Sequence, residues 1–110
     1  MKPPAVLLLG KNRHEATLAS AALYCAGARI VTAKPDLALL VDAKALPKRI
    51  RVPLVAIVPA RERRRALVAG VDAAYARPRQ WKAYARLVER VLAEWTPTRK
   101  AARSRRGRTS

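Results

Sequence analysis

The chain has no phenylalanine, one cysteine, one histidine and only seven acidic residues among 110. Each scarcity excludes something. A single Cys and a single His give neither a metal framework nor a disulfide. Cys25 lies in an Ala-rich apolar stretch and reads as a small buried hydrophobe. His14 stands beside Glu15, but adjacent helix positions do not face one another, so it reads as a surface histidine. Gly10-Lys11 is an isolated pair and not a glycine-rich phosphate loop. The first apolar run, Ala5 to Leu9, is five residues long, too short for a secretory signal core or a membrane span. These absences predict a cytoplasmic protein that is not an enzyme, holds no metal or cofactor and has no membrane span. Without Phe, the core must be built from Ala, Val and Leu.

What is present in excess is positive charge. There are 24 Lys and Arg against the seven acids, a net +17. A chain so basic attracts polyanions. Nucleic acid leads the partner classes, an acidic protein follows, and an anionic membrane surface comes third. Residues 96–110, TPTRKAARSRRGRTS, carry Arg99, Lys100, Arg103, Arg105, Arg106 and Arg108 and no acid. Such a segment buries too little to order itself and is expected to be a disordered tail that adds polyanion contacts without reading sequence. All seven acids precede it, and the body, 1–95, still carries +11. Length leaves room for that one domain and the tail. No zinc-finger spacing, stacking aromatic pair on a strand or helix-turn-helix is evident, so nucleic-acid binding would be sequence-nonspecific.

Hydrophobic patterning alternates between strand and helix. Ala5 to Leu9 is a buried strand ended by Gly10. Asn12 is placed to cap a helix from about Arg13 to Ala26, with Leu18, Ala21, Ala22 and Cys25 on one face and Gly27 closing it. Arg29 to Thr32 is a short apolar run, and Leu37 to Val41 is a strand after Pro35-Asp36. Asp42 to Arg51 is polar, with a short helix at most. Val52 to Val58 is a strand rich in β-branched residues; Arg61 to Ala69 is helical; Gly70 supplies a residue tolerant of positive φ, and Ala73 to Ala76 is a further strand. This is a βαβ unit. Trp81, Tyr84, Leu87, Val88, Val91, Leu92 and Trp95 recur at helical spacing from about Gln80 to Trp95 and read as a core stripe, which leaves Trp81 unsuited to stacking a base. The alternation predicts an α/β open parallel sheet of four to five strands with helices on both faces.

Three stretches, PDLALLVDA at 35–43, VPLVAIVPARER at 52–63 and ALVAGVDAAYARP at 66–78, resemble the receiver domains of bacterial response regulators. The resemblance spans most of residues 4–95. It implies a flavodoxin-like sheet of order 2-1-3-4-5 and a signal-transduction role in which an Asp is phosphorylated with Mg²⁺ assistance. The family's chemistry does not carry over. Mg²⁺ wants carboxylate oxygens, and the acidic pair after the first strand is Gly10-Lys11 here. The phosphoacceptor position matches Val41; Asp42 follows, and strand alternation turns it to the other face unless the strand end is bulged. The hydroxyl position matches Val58, and Tyr75 is one place from the aromatic switch. Only Arg77-Pro78 keeps the charge of its counterpart. Between Arg29–Thr32 and Leu37 the chain is too short for the family's second helix, so that helix is expected to be shortened or missing and the second strand reduced, displaced or absent. The expectation is a degenerate, phosphorylation-independent pseudo-receiver.

Ligands of such sheets bind at the carboxyl ends of the strands. Lys11 and Arg13 follow the first strand, Asp42 and Lys44 the third, Arg61, Arg63 and Arg64 the fourth, and Arg77 and Arg79 the fifth. The acidic rim of the family has become a basic one, expected either to bind an anion or partner or to be a solvated face. Two functions follow: a regulatory module docking an acidic or regulatory protein, or a small nucleic-acid-binding protein.

Overall fold

The computed structural model describes residues 3–42 and 50–96. Five strands form one parallel sheet: β1 (Ala5–Leu9), β2 (Arg29–Ile30), β3 (Leu37–Leu40), β4 (Leu54–Val58) and β5 (Ala73–Ala76), in the order β2-β1-β3-β4-β5. Helices α1 (Arg13–Cys25) and α3 (Trp81–Trp95) pack on one face, and α2 (Arg63–Val68), entered through a single 3-10 turn at Ala60–Glu62, packs on the other. This is the flavodoxin-like α/β architecture expected from the sequence. Lys44 and the tail residues Arg99, Lys100, Arg103, Arg105, Arg106 and Arg108 lie outside the described residues.

The central strands β3 and β4 are buried along their whole length because both faces are covered. Alternation then divides their side chains. Leu37, Leu39, Val41, Val55 and Ile57 meet Ala19, Ala22 and Leu23 of α1 and Tyr84, Val88, Val91 and Leu92 of α3. Ala38, Leu40, Leu54, Ala56 and Val58 meet Ala66 and Val71 at α2. Small side chains keep these layers close. A fully buried Leu or Val here contributes about 1.5–3 kcal/mol.

The starts of two strands are pinned by one repeated device. Asp36, just before β3, donates its backbone N–H to Ala5 O (2.7 Å) and accepts Ala5 N–H on Oδ2 (2.9 Å). Asp72, just before β5, does the same to Leu54, at 2.8 Å in both directions. Each carboxylate closes a ring on the first residue of the neighbouring strand, where the regular ladder has not begun.

The second strand is present but cut to two residues, and residues 31–36 link it to β3 without a helix. Register explains how so short a link suffices. Val6 pairs with Ile30 on one side and with Leu37 on the other. β2 therefore stops at the level where β3 begins, and the chain has no strand length to retrace. Lys34, at φ 54, makes the turn in that link.

Three details differ from expectation. The packed face of α1 is Glu15, Ala19, Ala22 and Leu23, so Cys25 is exposed and not buried. Ala-rich helices carry a weak apolar stripe, and the face that packs is turned by about one residue from the predicted Leu18, Ala21, Ala22 and Cys25. Trp81 is 44% exposed and stands edge-on to Tyr84, because it precedes the part of α3 that crosses the sheet. The helical stretch after β4 is split between the 3-10 turn and a short α2, which Gly70 ends at φ 106. His14 is exposed, as expected.

Candidate functional site

The carboxyl ends of β1, β3 and β4 meet around a cleft of about 220 Å³ lined by Lys11, Asn12, Asp42, Arg61 and Glu62. Gly10 precedes Lys11 beside this cleft. A Cβ there would run into Val41 Cγ2, and it would stand 3.3 Å from Asp42 Oδ2. Val41 is fully buried among the α1 and α3 contacts. An apolar branch thus fills the space over Gly10, where a side chain projecting from the first loop would have to lie.

Asp42 does not lie on the opposite face of the sheet. β3 ends at Leu40, so the alternation that sends Val41 into the core no longer governs the next residue. The Asp42 side chain turns over the end of the sheet and is buried at 5% exposure. Its Oδ2 accepts the backbone N–H of Lys11 (2.7 Å) and of Asn12 (2.8 Å). These donors lead into α1, whose first turn is capped by Asn12 Oδ1 on Glu15 N–H (3.0 Å). Such N–H groups are what a loop offers to an incoming anion; here a carboxylate of the chain itself holds them.

The predicted rim residues are divided by the structure. Lys11 and Arg61 line the same cleft. Arg77 does not join them: its Nε lies 2.8 Å from Glu15 Oε1, a close ion pair although the N–H is not aimed well enough for a hydrogen bond. Arg63 Nε donates to Ala74 O (2.9 Å), a carbonyl of the edge strand β5, and so covers an edge that would otherwise be open. Arg13, Arg64 and Arg79 are exposed. The basic rim of the sequence is therefore partly compensated, since Glu15, Asp42 and Glu62 share the same end of the sheet.

Beneath this rim, Tyr84 of α3 faces Glu15 and Arg77. The tyrosine is 2% exposed, and its hydroxyl has no hydrogen-bond partner among the described residues. Burial, helped by the Glu15 carboxylate and opposed by Arg77, pushes its pKa up to about 12. The hydroxyl is neutral at physiological pH and poorly placed as a base.

The residues at this end do not fit Mg²⁺. A receiver's metal needs several carboxylates converging on one point. Here Gly10 and Val41 supply none, Asp42 Oδ2 is engaged with backbone donors, and the one other carboxylate lining the cleft, Glu62, is matched by two cations, Lys11 and Arg61.

A second concavity, larger at about 680 Å³, runs beside α3 and is lined by Pro78, Gln80, Lys82, Ala83, Arg86, Leu87 and Arg90. The four-residue spacing of its cations was visible in the sequence. What the sequence did not tell is that this side of α3 borders a hollow.

No family model matches the chain, and no curated protein matches it. Solved structures do. One is the phosphorylated cyanobacterial phytochrome response regulator RcpA, at TM-score 0.64 and 15% identity over 89% of this chain and 97% of that one. Another is the Mn²⁺-bound form of response regulator Rcp1, at TM-score 0.59 and 15% identity over 89% and 98%. With strand order, parallel register and coverage all in agreement, the chain has a receiver-like, flavodoxin-like fold.

Proposed function

We propose that the protein is a receiver-like regulatory module that works by docking a partner and not by phosphotransfer. The observation that carries this reading is the replaced acidic pocket: Val41 occupies the space over Gly10, and the Asp42 carboxylate accepts the Lys11 and Asn12 N–H groups. A nucleophilic carboxylate needs free access and a metal to offset phosphoryl charge, and this end of the sheet supports neither. The protein is then a pseudo-receiver and not an enzyme, cytoplasmic, with an acidic or regulatory protein as partner. Among the described residues no helix is long and apolar enough to cross a membrane. Incubation with acetyl phosphate and Mg²⁺, followed by intact-mass spectrometry, is expected to leave the mass unchanged. Addition of one phosphoryl group, mapped to Asp42, overturns the reading.

The second reading is a polyanion-binding protein, favoured by a net +17 and by exposed cations in register along α3. It is compatible with the first, since the pseudo-receiver body and a polyanion surface use different parts of the molecule. It predicts retention on DNA or RNA that weakens steeply with salt.

A further inference from the structure

The body offsets part of its positive charge at the strand ends. Three of its seven acids, Glu15, Asp42 and Glu62, stand at that rim among the cations. Asp36 and Asp72 are engaged at the opposite ends of the strands. Beside α3 the balance is different. Lys82, Arg86 and Arg90 are exposed, each one helical turn beyond the last, and no acid lines the hollow they border. On the helix itself Glu89 follows Arg86 by three residues, and Glu94 lies 3.8 Å from Arg90, which also sits 6.0 Å over the Tyr75 ring.

Four residues of helix rise about 6 Å, so the row is about 12 Å long. Its floor is thin and apolar: Pro78, Ala83 and the uncovered part of Leu87. A protein partner would need a broader apolar surface to bury at the centre of an interface. A regular row of cations beside a narrow apolar strip suits a polymer whose charges repeat regularly and whose sugars are only weakly polar between them. No aromatic ring lines the hollow, so nothing there would stack or read a base.

We propose that the hollow between Pro78 and the Lys82–Arg86–Arg90 row of α3 is a binding site for the phosphodiester backbone of nucleic acid, without base selectivity. This deepens the polyanion reading and rests on it. Each cation neutralises one phosphate, and the hollow receives the ridge of a single strand, either free or as one edge of a duplex.

The test uses the full chain, with fluorescence anisotropy of a labelled DNA duplex and of the corresponding single strand across a NaCl series. The site predicts that Lys82→Gln/Arg86→Gln/Arg90→Gln reduces the slope of log affinity against log salt by about 2.7 on duplex and about 2.1 on single strand. A control of equal charge loss, Arg29→Gln/Lys34→Gln/Arg51→Gln, is expected to change it by less than about one unit. All six side chains are exposed, and circular dichroism checks that both variants fold. Equal slopes for the two variants, with the wild type still binding, overturn the site but leave the polyanion reading standing. No binding by the wild type at low salt overturns both. If polyglutamate of matched charge displaces DNA as well as unlabelled DNA does, the site belongs to an acidic protein and the nucleic-acid assignment falls. Equal competition by unrelated DNA sequences supports backbone recognition; a strong preference among them overturns it.

Discussion

At the scale of the residue, Gly10 and Val41 form one unit. Gly10 is needed for space and not for backbone freedom, because a methyl group there would occupy the volume of Val41 Cγ2. Gly10→Ala should therefore destabilise by about 1–3 kcal/mol through overpacking. Val41→Ala alone should also destabilise, by opening a cavity. The double variant should be more stable than the sum of the two losses predicts, since each change makes room for the other. Urea denaturation of the four proteins measures this, and simple additivity would show that the two do not share the space. Tyr84 gives a second test. Its pKa is raised in the folded state, so the folded protein holds its proton more tightly than the unfolded chain does. That contribution is complete below about pH 10 and is lost as pH rises toward about 12. Tyr84→Phe should thus lose less stability than wild type between those pH values. At neutral pH it should cost little, because the hydroxyl it removes has no partner.

At the scale of the element, Asp42 ties the end of β3 to the entry of α1. Asp42→Ala leaves the Lys11 and Asn12 N–H groups without their acceptor and should cost about 1–3 kcal/mol. Asp42→Asn keeps an oxygen there and should cost less; equal losses for the two variants would mean that the negative charge, not the hydrogen bonds, is what matters. This junction also shows where sequence reading stops. Strands β1, β3, β4 and β5 were legible as short apolar runs bounded by Gly, Pro and Asp, and helices α1 and α3 by residues recurring every three to four positions. Strand order was legible only through the resemblance at 35–43, 52–63 and 66–78. Asp42 was not, because alternation says nothing once the strand has ended. The Glu15–Arg77 pair was equally hidden: its partners are far apart in sequence and meet only because α1 and β5 bring them to the same end of the sheet. The exposure of Cys25 was not legible, since Ala on every side of a helix leaves its buried face ambiguous. The spacing of Lys82, Arg86 and Arg90 was legible, but the hollow beside them depends on how α3 sits against the rest of the fold.

At the scale of the whole molecule, net charge opposes the compact state while local pairing supports it. The folded body measures 33 × 29 × 26 Å, and the chain carries +17. At about 0.01 M salt the screening length is about 30 Å, as long as the molecule, so cations on opposite sides repel one another. At about 0.1 M it falls to about 10 Å, and only neighbours interact. The ion pair of Glu15 with Arg77 and the carboxylate bonds of Asp36, Asp42 and Asp72 are short and at least partly buried, so the same salt weakens them much less. The melting temperature should therefore rise as NaCl increases over this range, the reverse of a protein held together by surface salt bridges. The rise should be smaller in Lys82→Gln/Arg86→Gln/Arg90→Gln, which removes three like charges in a row and leaves those short interactions in place. A wild-type melting temperature that falls with NaCl over this range would mean that attractive pairs, and not the surplus of lysine and arginine, dominate the electrostatics of the fold.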